Sequence, residues 1–78
     1  MSISGGTDYT KGSVIEYATP GPLRRAKVVA VHPNIHKGRP GFDGTIVSSS
    51  DPTDYEGLVA NGGIVSGYDS QVTRVISR

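Results

Sequence analysis

The chain has no cysteine, no tryptophan, one phenylalanine and one methionine among its 78 residues. Without cysteine there is no disulfide and no thiolate metal site. That absence also fits a reducing compartment. Hydrophobic residues make up 35% of the chain and aromatics 6%. A domain this small buries only about 60% of its unfolded surface, so its core is modest and leaves no room for a large cofactor. No apolar run approaches the ~18 residues of a membrane span. The chain does not open on a basic-then-apolar leader, so the expectation is a cytoplasmic protein with no membrane partner. No segment of useful length carries a helical pattern, and there are no internal repeats.

Glycine and proline are what the chain has in quantity, 11 and 5 respectively. They cut it into short β-branched runs. Residues 1–10 are small and polar and read as a flexible tail, leaving residues 11–78 as one domain. Ser13 to Ala18 reads as a first strand, closed by Thr19-Pro20-Gly21-Pro22. Arg24 to His32 is the strongest strand signal, with Ala26, Val28 and Ala30 on one face and Arg25, Lys27, Val29 and Val31 on the other. Pro33 is expected to end it, with a loop from Asn34 to Gly41. Phe42 to Ser48 reads as the third strand, and residues 48–54 as loop. Glu56–Ala60 and Ile64–Ser66 flank Asn61-Gly62-Gly63, which predicts a hairpin, because both central residues of a type I′ turn need φ > 0. A tight helical turn over Gly67–Ser70 and a last strand from Gln71 to Ile76 complete the reading. Short strands at this spacing in some seventy residues suit a five-stranded barrel better than a sandwich, which takes about 100 residues.

Charge is uneven along the chain. Lys11 to Arg39 holds six cations and one anion, whereas Pro40 to Asp69 holds five anions and no cation. A fold that separates the two halves has one face that attracts anions and one that repels them.

The stretch Lys27 to Val47 contains a strand, the basic loop Lys37-Gly38-Arg39-Pro40-Gly41 and the returning strand Ile46-Val47. It resembles the core of SH3-like barrels of the KOW type, in which such a loop contacts RNA or a protein partner. Ser66 to Val72 is similar to the part of those barrels where a single 3₁₀ turn bearing a tyrosine precedes the last strand. The Gly38-to-Gly44 and Gly67-Tyr68-Asp69 segments together resemble short SH3-like proteins of actinobacteria and their phages. The resemblance implies an all-β, single five-stranded SH3-like barrel with a short 3₁₀ turn before its last strand.

Candidate contact residues follow from charge and position. Arg24, Arg25, Lys27, Lys37 and Arg39 supply cations, and Tyr68 is the aromatic placed by its turn to meet a ligand. Phe42 is expected in the core. The first expectation is a small adaptor or regulator that binds a protein through the basic loop. The competing one is a nucleic-acid binder that sets the same cations on phosphates, although the pI of 8.1 falls below the usual footprint of about 9. A third is a structural subunit of an assembly such as a phage particle, its partner another copy. Chemistry finds little support. His32 and His36 are separated by Pro33 and Asn34, which rules out the helix that would aim both at one metal. Gly38 to Gly41 lacks the Gly-Lys-Ser/Thr ending of a phosphate loop, and Ser48-Ser49-Ser50-Asp51 has no adjacent base. No enzyme activity, cofactor or metal is expected.

Overall fold

A computed structural model describes residues 9–77. Five antiparallel strands form one sheet: β1 (Val14–Ala18), β2 (Leu23–His36), β3 (Arg39–Ser49), β4 (Ile64–Tyr68) and β5 (Val72–Ser77). A single helix, α1 (Pro52–Ala60), lies between β3 and β4, and a 3₁₀ turn (Asp69–Gln71) precedes β5. The all-β, five-stranded class read from the sequence is therefore the class observed.

The spatial order is β4-β3-β2-β1-β5, and it forces curvature. Laid flat, the outer strands β4 and β5 would stand about 19 Å apart at ~4.8 Å per strand. Only the three residues of the 3₁₀ turn join them, and at ~2 Å of rise each they cannot bridge that gap. The sheet has to curl until its edges approach, which makes a small barrel. Gln71 pins the seam. Its Oε1 accepts from the Tyr68 backbone N–H at 2.8 Å, and its Nε2 donates to the Ala18 carbonyl at 2.8 Å.

Every strand contributes to one core: Ile15 and Tyr17, Ala26 and Val28, Phe42, Val65 and Val72. Phe42 sits at its centre, fully buried, with Tyr17 edge-on at 5.1 Å and Tyr9 edge-on at 5.8 Å between ring centres. Edge-to-face pairs of this kind add about 0.5–1.5 kcal/mol each beyond area burial. Tyr9 was expected in the tail. It is instead a core residue at 5% exposure, so packing begins two residues before Lys11; residues 1–8 of the expected tail lie outside the described residues. The buried Tyr9 hydroxyl has no hydrogen-bond partner of good geometry.

Three expectations are corrected. Strand β2 does not stop at Pro33 but runs to His36, and β3 begins at Arg39. The expected loop is the end of a long hairpin, in which His32 pairs with Gly41 and His36 with Arg39. Pro33 is tolerated because it lies in the bulge between those pairs, where no ladder donor is needed. Second, a bulge at Val29 shifts the register between Val28–Gly44 and Ala30–Asp43. The simple alternation read for β2 is therefore broken halfway along.

The third correction is the helix. Residues 56–60 are not a strand, and Asn61-Gly62-Gly63 is not a hairpin turn. Asp51 caps α1, accepting from the Thr53 N–H at 3.0 Å, and Pro52 occupies the first turn, where its missing N–H costs nothing. The far end closes in a Schellman arrangement: Gly63 N–H donates to the Leu58 carbonyl at 2.8 Å and Gly62 N–H to the Val59 carbonyl at 3.1 Å. Gly62 takes φ +98°. The demand for positive φ was read correctly from Asn-Gly, but a helix end makes it as well as a hairpin. Asp54 and Leu58, one turn apart, are the two helix residues that face the barrel.

Candidate functional site

The hairpin of β2 and β3 projects its tip at one end of a molecule 37 Å long. A two-residue turn, Lys37-Gly38, closes it, with φ of 49° and 79°. Both values are positive, as a type I′ turn requires. Gly38 meets this freely, and its N–H donates to Asn34 Oδ1 at 2.7 Å. Lys37 meets it at a cost, since left-handed backbone disfavours a side chain by about 1–2 kcal/mol. Asn or Gly is the ordinary occupant of such a position.

Just past the turn, Arg39 lies over Tyr68. Its guanidinium carbon is 4.0 Å from the centre of the tyrosine ring. Nη2 of Arg39 reaches Ser70 Oγ at 3.4 Å. On the same ring, His36 approaches at 6.3 Å between centres, tilted by 50°. Pairing of β3 with β4, Gly41 opposite Tyr68, carries the tyrosine to the hairpin end. Ile35, His36, Ser66, Gly67, Tyr68 and Gln71 line an open pocket of about 310 Å³ there. Arg39 is an exposed residue, so over the ring its guanidinium keeps N–H groups open to solvent and offers a planar donor to a carboxylate.

The expected cations do not form one surface. Arg24 and Arg25 lie at the start of β2, and up to about 36 Å of strand separates Arg25 from His36. Arg24 is taken up by Asp54, with Nε to Oδ2 at 2.9 Å and Nη2 to Oδ1 at 2.7 Å. Asp54 also accepts from the Ser49 hydroxyl at 2.8 Å. The Arg24 hydrogen bonds, seconded by Ser49, hold the Asp54 carboxyl below its usual range. Arg25 turns to Glu16 at 3.2 Å, and Glu16 also takes Arg74 at 3.9 Å and the Thr73 hydroxyl at 3.4 Å. Lys27 is exposed on the strand between the two ends. The structure thus brings together Arg39 and Tyr68, with Lys37 in the adjoining turn, and leaves Arg24 and Arg25 with structural partners.

Two members of the neighbourhood were not among the expected contacts. His36, which falls in the expected loop, is an exposed residue at the end of β2, and its ring stands beside Tyr68. His32 Nε2 meets Asp43 Oδ2 at 2.7 Å, an approach that follows from the Val29 bulge and could not be read from strict alternation. Among the described residues no group of three His, Cys, Asp or Glu converges as a metal site. Nor is any described helix long and apolar enough to cross a membrane.

Comparison with protein families, with curated proteins and with solved structures finds no match for this chain.

Proposed function

We propose that this chain is a small, non-enzymatic binding module of the SH3-like class, acting in the cytoplasm, that takes a protein partner at its basic hairpin end. The observation that carries the reading is Lys37 at φ 49° in the hairpin turn. Unfavourable backbone at an exposed position, where a better residue is available, marks a side chain kept for something other than stability. Arg39, positioned over the Tyr68 ring, supplies a donor beside it, and the adjoining pocket offers apolar surface from Ile35. A basic, partly apolar end of this kind suits an acidic segment of another protein.

A protein partner is favoured over nucleic acid by the fate of the other arginines. A phosphate backbone is held by several cations along one track, and here Arg24 and Arg25 face Asp54 and Glu16 instead. The test is affinity capture from nuclease-treated host extract, with wild type beside the Lys37→Glu/Arg39→Glu double variant. The expected result is a protein retained by wild type and lost with the variant, whose stability should stay within about 1 kcal/mol, the loss of the Arg39–Tyr68 contact included. Binding that disappears with nuclease, and weakens log-linearly with salt, assigns the site to nucleic acid instead.

A further inference from the structure

The end of the molecule opposite the hairpin carries the reverse character. Helix α1 turns Asp54 and Leu58 inward and leaves the rest of its surface in solvent. Tyr55 is 37% exposed and Val59, one turn on, 49%. Ile64, just past the helix, is 72% exposed. Asp51 and Glu56 belong to the same segment, and the arginines at this end of the barrel, Arg24 and Arg25, are already committed to Asp54 and Glu16. Tyr55 and Val59 share one stripe of the helix, four residues apart, and large apolar side chains exposed together commonly mark a contact surface. At the hairpin end, Arg39 lies over Tyr68 and Lys37 occupies the turn, two cations beside the pocket that Ile35 and Tyr68 line, with Asp69 following Tyr68 in the 3₁₀ turn and Asp43 held by His32.

The two surfaces lie at opposite ends of the same strand. Arg39 starts β3 and Ser49 ends it, about 33 Å away at ~3.3 Å per residue. A single molecule cannot bring them together, but two copies can. We propose that copies of this chain associate head to tail, the basic hairpin end of one seating on the acidic, apolar α1 face of the next. Charge complementarity selects the occupant: Lys37 and Arg39 of one copy meet Glu56 and Asp51 of the next, while the arginines at the α1 end are held by Asp54 and Glu16. The contact is heterologous, so each dimer keeps one free end of each kind and can extend. This inference rests on the reading of the hairpin end as a protein-binding surface, and it names the partner as a second copy.

The test is light scattering of the purified chain across concentration at low salt. The mass should rise with concentration up to about 1 mM and fall back toward one copy in ~0.5 M salt, where the Debye length shrinks to a few Å. Lys37→Glu/Arg39→Glu breaks one surface and Glu56→Gln/Val59→Ser the other, the second placing neutral side chains there so that the two altered surfaces do not attract each other. Each variant alone should remain a monomer, with an unchanged circular dichroism spectrum. Mixed in equal amounts they should form dimers and nothing larger, because the mixture restores one intact junction and caps both outer ends. A wild-type chain that stays monomeric overturns the proposal, as does a mixture that stays monomeric, the result for a two-fold contact. If wild type is monomeric yet still captures a host protein that the Lys37→Glu/Arg39→Glu variant loses, self-association is refuted and the hairpin reading stands.

Discussion

Arg24 and Asp54 meet through two parallel hydrogen bonds, Nε to Oδ2 at 2.9 Å and Nη2 to Oδ1 at 2.7 Å. The pair joins the start of β2 to the first turn of α1. A helix with so few inward residues gains little from packing, so this clamp and its two caps account for much of its anchorage. The same arginine reaches the Tyr17 hydroxyl at 3.5 Å, which links the helix to the aromatic core.

The clamp makes the fold acid-sensitive in a defined way. Arg24 lowers the Asp54 pKa from its ordinary 3.8. As pH falls, the unfolded chain takes up this proton before the folded one does. The stabilisation is complete above the ordinary carboxylate value and is lost as pH drops through the lower folded value. Urea midpoints followed from about pH 6 to about pH 2 should fall more steeply for wild type than for Asp54→Asn, and the two curves should converge at the acid end. Parallel curves would show that the pair does not contribute.

At the alkaline end the sign reverses and the residue is Tyr9. Burial first, then the Asp69 carboxylate, raises its phenol well above the ordinary 10.0. Burial also raises Tyr17, against an opposing effect of Arg24. The unfolded chain loses these protons near pH 10 while the folded chain keeps them, so stability declines above that pH. Tyr9→Phe removes one of the two groups without emptying the core. It should change stability at pH 7 by no more than about 1 kcal/mol and soften the decline between roughly pH 10 and roughly pH 11.5. An unaltered alkaline limb sinks the assignment to Tyr9.

The legibility of this chain was set by the range of the forces involved. β1, β2, β3, β5 and the first residues of β4 were readable because β-branched runs such as Val28-Val29-Ala30-Val31 report extended backbone locally. The helix is hidden although its start signal, Asp51-Pro52-Thr53-Asp54, is present, because the same residue types form loops. Asn61-Gly62 compounds the ambiguity, since positive φ is a local property shared by two different chain reversals. Arg39 and Tyr68 were both named as contact residues, but their stacking depends on the β3–β4 register, which neither segment encodes alone. The separation of Arg24 and Arg25 from the loop cations was hidden for a related reason. Its cause is the extension of β2 through Pro33, made possible by a bulge that no local pattern announces.

The end of α1 provides a check on that reinterpretation. Gly62 is at φ +98° with open space where a Cβ would go. Gly62→Ala therefore meets no clash, and its cost is conformational, about 1–2 kcal/mol. Asp51→Ala, at the other end, should cost about 1 kcal/mol through loss of the cap to Thr53. Both are measured by urea unfolding with helical ellipticity recorded alongside. If Gly62→Ala were neutral, the Schellman ending would be wrong.

Arg39 and Tyr68 should be energetically coupled. A double-mutant cycle with Arg39→Ala and Tyr68→Leu is expected to return about 0.5–1 kcal/mol, the range for an exposed cation over an aromatic ring. Arg39→Lys keeps the charge but loses the planar fork, so partner capture should weaken even where stability is preserved. Full capture by Arg39→Lys would reduce the role of this residue to charge alone.

Lys37 gives the sharpest separation of stability from function. Its φ of 49° is a conformation that asparagine tolerates far better. Lys37→Asn should raise the unfolding free energy by about 0.5–1 kcal/mol, since it relieves backbone strain without touching the core. The same change removes a cation from the hairpin end and should weaken association, whether with another protein or another copy. Stability gained together with binding lost is the signature of a residue retained for contact. The two measurements are a urea midpoint and a capture or light-scattering assay on the same preparation. A Lys37→Asn chain that is more stable and binds as well as wild type would leave the lysine without a role at the turn, and the contact surface would then have to be centred on Arg39 and Tyr68.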